Sequence, residues 1–170
     1  GTYIFSFVND ADVTFTNGTI DVTGADVSEA IFFLGGYGKT KGVARFDNVD
    51  VVGNGYDSGY GVFYVYSDNA EAYFTNGTTV TLKDEQGASG GVAKGGSKLS
   101  KIEINNATFD LTNIARGFVD GEFTITDSDI DIKDSRKTAL RNFNGTVNNS
   151  TISIDNCDYG IENDATTALN

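Results

Sequence analysis

The sequence predicts an all-β protein whose short parallel strands are stacked in repeating units, and three observations carry that prediction. An eight-residue pattern recurs along the chain, its apolar residues alternate with polar ones, and proline is absent. Alternation with a period of two marks a strand with one buried face. The lack of proline suits strands hydrogen-bonded on both edges, because proline cannot donate to a ladder. Of 170 residues 39% are hydrophobic, with 12 Phe and 8 Tyr, so a single domain over residues 1–170 has the material for a core.

The first unit reads Phe15-Thr16-Asn17-Gly18-Thr19-Ile20-Asp21-Val22, and it returns at 104–111, 125–132 and 147–154. Two variants complete the set: the one from Phe74 carries one insertion, and the one from Phe46 reads as two residues shorter. The anchors at 15, 46, 74, 104, 125 and 147 are 31, 28, 30, 21 and 22 residues apart. Two residues after each anchor stands Asn17, Asn48, Asn76, Asn106, Asp127 or Asn149. The alternation changes phase at that position, which has two explanations. An Asn-Gly type I′ turn would fold each unit into an antiparallel hairpin, the alternative all-β fold. A left-handed Asn at a corner would instead redirect the chain into a new strand. Type I′ turns want Gly at their second residue, and Val49, Ala107, Ser128 and Ser150 occupy that place in four of the six units. The corner accommodates them better.

A further strand lies between units, at 4–8, 30–34, 62–66, 91–94, 115–119, 139–143 and 159–163, bounded by Gly, Asp and Asn clusters. Three short strands per repeat, with the apolar-x-Asn-x-x-apolar-x-apolar pattern, resemble the right-handed parallel β-helix, the pectate-lyase-like solenoid, over nearly the whole chain. The resemblance implies a β-solenoid of about seven coils, each contacting only its neighbours. Interior columns are then expected from Phe15, Phe46, Phe74, Ile104, Ile125 and Val147, and from Ile20, Val49, Val80, Phe109, Ile130 and Ile152. The corner residues Asn17, Asn48, Asn76, Asn106, Asp127 and Asn149 are expected to form a structural side-chain ladder.

Composition removes several functions. Twelve basic and 24 acidic residues give a net charge of −12, with no basic patch for nucleic-acid phosphates. The apolar runs are too short to span a bilayer. Histidine is absent, which excludes Ser-His-Asp and Cys-His catalysis and His-ligated zinc. The single Cys157 forms no internal disulfide. Methionine is also absent and Gly1 leads straight into a strand, so the chain reads as a segment or processed product of something longer.

Four features carry candidate chemistry. Asn17, Asn76, Asn106, Asn144, Asn148 and Asn149 satisfy the N-glycosylation pattern. The four on the corner column are expected to face inward, leaving Asn144 as the acceptor. An outward row of Asp21, Asp50, Asp110 and Asp131, with Asp129 beside it, offers weak Ca2+ binding through Asp110, Asp129 and Asp131, although a solvated acidic face explains it more simply. No cofactor is required. The loop holding Tyr56, Asp57 and Tyr60, followed by Tyr64 and Tyr66 and matched by Tyr37 in another Gly-rich loop, offers a ligand-binding surface for a glycan or protein partner. The loop over 83–98 matches no phosphate-binding signature.

Repeated Thr, Asn, Asp and Gly strands with high acidity and scarce Cys resemble bacterial or archaeal surface-protein and adhesin solenoids. That resemblance implies an extracellular or cell-surface protein, structural or adhesive, non-enzymatic, and without membrane insertion. Its partners would be a cell-surface glycan or further copies of itself, since end-to-end stacking of coils generates fibres. The alternative is a polysaccharide-active β-helix enzyme, a lyase or hydrolase, or its carbohydrate-binding remnant.

Overall fold

A computed structural model describes residues 1–87 and 90–163. Among the described residues there are 17 strands and no helix. Fifteen strands belong to one sheet and two short ones, Asp26–Val27 and Asp57–Ser58, to a second. All the strand pairings are parallel, which overturns the antiparallel hairpin alternative. Phe15 faces Phe46 of the next unit rather than folding back on Ile20. The architecture is compatible with a parallel β-helix.

Three lines of register cross the large sheet. One joins Phe5, Phe32, Phe63, Ala93, Phe118, Leu140 and Ile161. A second joins Phe15, Phe46, Phe74, Ile104, Ile125 and Val147. The third joins Ile20, Val51, Val80, Phe109, Ile130 and Ile152, so Val51 takes the place expected for Val49. The Phe46 unit is therefore not shortened. Its apparent contraction came from a second valine at 49, which pairs with Gly18 just past the corner.

In-register parallel strands lie about 4.8 Å apart, a spacing that suits offset ring stacking. Phe46 stacks on Phe15 at 5.3 Å and on Phe74 at 4.9 Å. Phe32 stacks on Phe5 at 4.8 Å and on Phe63 at 5.0 Å. The two stacks meet edge to face, Phe32 against Phe46 at 5.2 Å and Phe63 against Phe74 at 4.9 Å. Phe32, Phe46, Phe63 and Phe74 are fully buried, whereas Phe5 and Phe15 on the first strands are half-buried.

The corners obey the reading of Asn as a left-handed residue. Asn17, Asn48, Asn76, Asn106, Asp127 and Asn149 all have φ between 47° and 56°. Their side chains point outward, contrary to the expected inward ladder, and are exposed. Asn48 Nδ2 donates to Asn17 Oδ1 at 2.8 Å, and Asn149 donates to Asp127. Asn76 instead donates to Asp47 at 2.7 Å. Its unit carries the insertion, taken up by Gly77 at φ 85° and by buried Thr78, whose hydroxyl donates to the Phe46 carbonyl at 2.8 Å. Thr78 Oγ1 also accepts from Val49 N at 3.3 Å, and the serines next after their corners accept likewise, Ser128 Oγ from Ala107 N and Ser150 Oγ from Ser128 N.

A second left-handed corner ends the third register line at Gly24, Gly55, Asp84, Asn113, Asp134 and Asn156, and sequence reasoning missed it. Asn113 Nδ2 donates to Asp84 Oδ1 at 2.7 Å, and Asn156 donates likewise to Asp134. At the remaining corner glycine is needed for room. A Cβ on Gly42 would stand 2.0 Å from the Phe7 carbonyl oxygen. The intervening strands begin within three residues of expectation, the largest shift being the start of Phe118–Thr126, since Ile114 and Ala115 lie in the loop before it; Phe118–Thr126 and Thr138–Asn148 run on past the expected ends at 119 and 143.

Candidate functional site: a tyrosine-rich outer wall

The strands Ala30–Leu34, Gly61–Val65 and Gly91–Gly95 alternate so that one side chain of each points away from the core, and register aligns Phe33, Tyr64 and Lys94 in a row. Loops flanking those strands add Tyr37, Tyr60 and Tyr66, and the first strand adds Tyr3. Phe33 is the hub: its ring lies 4.4 Å from Tyr3, 5.9 Å from Tyr37, 5.8 Å from Tyr64 and 5.5 Å from Tyr66. Tyr60 stacks on Tyr64 at 5.6 Å, and Lys94 Nζ sits 5.1 Å from the centres of both rings. A cation over two ring faces is held by their quadrupoles.

Electrostatics differ between the two ends of this wall, Lys94 at one and Glu29 at the other. Burial lowers the Lys94 pKa, and the like charges of Arg116 and Arg141 act in the same direction against Asp120. Burial pushes the Tyr64 hydroxyl up to about 12, with its neighbouring tyrosines adding to the effect. At the other end of the wall Tyr3 and Tyr37 both donate to Glu29 Oε2, the second at 2.9 Å, and their hydroxyls meet at 3.1 Å. Tyr37 and Tyr60 nevertheless remain 68% and 46% exposed, so ring faces stay open to a partner.

Of the residues singled out for ligand binding, only Tyr60 stands exposed on this wall. Tyr56 is fully buried and Asp57 half-buried, because the chain there forms the short strand Asp57–Ser58 paired with Asp26–Val27. Tyr56 turns instead toward a buried carboxylate that sequence reasoning missed. Glu85 is 2% exposed, and its Oε2 accepts from Ala115 N at 2.5 Å. Arg136 Nη2 donates to the carbonyls of Glu85 and Gly87 and lies 3.9 Å from Glu85 Oε2. Desolvation pushes the Glu85 pKa up to about 7, opposed by the Ala115 N–H and by Arg136 and Arg116, and aided by Asp57. The hydroxyls of Tyr56 and Ser58, both fully buried, have no hydrogen-bond partner among the described residues. Burial raises the Tyr56 pKa well above its ordinary value. Nothing in an acidic, Gly-rich loop marks one glutamate as buried.

The acidic row is shorter than expected. Asp50 pairs with Thr19 and Thr79, and Val52 faces Asp21, so Asp50 leaves the row. Asp110 and Asp131 adjoin, Asp129 pairs with Thr108 and Thr151, and Asp131 is engaged by Lys133 Nζ at 2.6 Å. Among the described residues no three Cys, Asp or Glu side chains converge to hold a metal ion. Asn144 is half-buried within the strand Thr138–Asn148, while Asn17, Asn76, Asn106 and Asn149 are exposed. Comparison with known proteins gives no matching family model, no matching curated protein and no matching solved structure.

Proposed function

We propose that this chain is a non-enzymatic scaffold acting outside the cell or at its surface, in structure or adhesion, through the tyrosine-rich wall. In this reading the wall is one face of a right-handed, pectate-lyase-like β-helix of about seven coils with three short strands in each. The supporting observation is the aromatic group around Phe33, mounted on consecutive rigid strands and carrying open rings on Tyr37 and Tyr60. Tyrosine gives large contact area for little lost conformational freedom, and function gathers on loops borne by a rigid frame. The field of a chain at −12 disfavours nucleic acid as the partner.

The test is retention of the purified chain on intact microbial cells and on insoluble extracellular polysaccharides, beside a variant with Tyr37, Tyr60 and Tyr66 changed to Ser. Wild type is retained and the variant is washed off. Equal retention of both, retention of neither, or release of new reducing or unsaturated sugar ends would refute the reading.

A further inference from the structure

We propose that the groove where Tyr37 and Tyr66 meet the 36–41 loop binds an uncharged pyranose saccharide of two or more units. The inference rests on the scaffold reading and names its ligand class and its site.

The groove is two adjoining clefts of about 250 Å3 and 430 Å3 that share Lys39 and Asp68. Tyr37, Tyr66, Ser67, Gly96 and Ser97 complete the lining of the smaller. Drug-sized ligands take roughly 300–1,000 Å3, so the smaller cleft suits a single ring and the pair suits a short chain. The Tyr37 and Tyr66 rings lie 5.0 Å apart at 62°, forming an angled aromatic wall. A pyranose has an apolar face of C–H bonds and an edge of hydroxyls. Its face fits the rings; its hydroxyls fit the exposed Asp68 carboxylate as acceptor and the Lys39 ammonium as donor.

The groove is rigid before any ligand arrives. Tyr37 is tied through its hydroxyl to Glu29, which fixes the ring while leaving it 68% exposed. Thr40 Oγ1 accepts from Gly36 N at 2.9 Å and from Asn9 N at 3.2 Å, and Asn69 Nδ2 donates to the Lys39 carbonyl at 3.3 Å. Lys39 itself is left-handed at φ 57°, the only such residue among those described that is neither Asn, Asp nor Gly. Strain of that kind gathers at ligand clamps, and a preformed site binds more tightly because less order is lost.

Charge selects an uncharged ligand. Two lysines, Lys39 and Lys41, and three carboxylates, Asp10, Asp68 and Glu71, line the groove, and Glu29 accepts from the Tyr37 hydroxyl. Locally the balance is acidic, so a uronic-acid chain meets repulsion that a neutral one does not.

The experiment titrates the whole chain with neutral tetrasaccharides of β-1,4-linked glucose, xylose, mannose and N-acetylglucosamine, with tetragalacturonate as the anionic comparison. Tyrosine fluorescence, undisturbed because Trp is absent, and calorimetry read binding. At least one neutral tetramer binds saturably and more tightly than tetragalacturonate. Tyr37→Ala and Tyr66→Ala each weaken it about tenfold or more, as for a central aromatic anchor. Tyr37→Phe, which keeps the ring and the fold, stays within about threefold, and Tyr159→Ala, at an exposed tyrosine outside the wall, leaves affinity unchanged. Circular dichroism confirms that each variant is folded. No binding by any neutral tetramer, preference for tetragalacturonate, or undiminished binding in both alanine variants overturns the proposal. Saccharide refusal alongside tyrosine-dependent retention on cells would sink this groove and spare the scaffold; loss of retention as well would sink both.

Discussion

Replacing Glu85 with Gln should remove most of a pH dependence that the folded chain carries in one side chain. Burial raises the Glu85 pKa from its ordinary 4.5 to about 7. A carboxyl whose folded pKa lies above its unfolded value binds more protons when folded, so stability is highest below pH 4.5 and falls as pH rises toward 7. Between pH 5 and pH 8 the two values imply a loss of about 2.5 kcal/mol from this group, the opposing Ala115, Arg136 and Arg116 contacts being already contained in the raised value. The other charged and titratable groups around it, Tyr56, Asp57, Arg116 and Arg136, remain in the variant. Gln still offers Ala115 N an acceptor, and Arg136 keeps its bonds to the Glu85 and Gly87 carbonyls. Self-repulsion at −12 also lowers stability with rising pH, but it acts on both proteins nearly alike. Urea unfolding followed by far-ultraviolet circular dichroism at pH 5 and pH 8 therefore isolates the Glu85 contribution. The wild-type midpoint should fall between those pH values by about 1 M more than that of Glu85→Gln. Parallel midpoint shifts in the two proteins would refute the argument that burial keeps this carboxyl protonated.

Three further outcomes follow from the same geometry. Phe46→Ala removes a fully buried ring stacked on two others and should cost about 3–5 kcal/mol, whereas Phe15→Ala, half-buried on the strand Ala11–Asp21, should cost less; chemical denaturation measures both. Asn106→Val places a β-branched residue at φ 53° and should lower stability by about 1–3 kcal/mol, while Asn106→Gly should stay near wild type in a thermal melt. Gly42→Ala, whose Cβ would stand 2.0 Å from the Phe7 carbonyl oxygen, should reduce the yield of folded protein more than Gly18→Ala, where a Cβ meets open space.

How far the sequence reached depends on how local each determinant is. The corner asparagines were legible because a phase change in the alternation has one economical cause, and φ near +50° at all six positions is that cause. The interior columns were legible wherever spacing was constant. They failed at Val49, where two valines two residues apart both satisfied the pattern and only pairing with Gly18 or Ile20 separates them. Outward orientation of the corner residues was misread for a related reason: identity fixes the backbone bend, whereas exposure depends on what neighbouring strands place alongside. The second corner hid because Gly24, Gly55, Asp84, Asn113, Asp134 and Asn156 sit inside stretches already rich in such residues.

The same distinction explains the site. Tyr37, Tyr60, Tyr64 and Tyr66 were noticed as residues, but their gathering around Phe33 needs strands about 30 residues apart to lie side by side. Tyr56, four residues from Tyr60, reads as an equal candidate in sequence and is the one the fold removes from solvent. A loop whose two tyrosines part in this way, one inward to Glu85 and one outward to Lys94, is anchored by its first ring and displays its second. The buried Tyr56 therefore belongs to the stability of the wall, and its loss should act on Tyr60 by loosening the loop rather than by removing a contact.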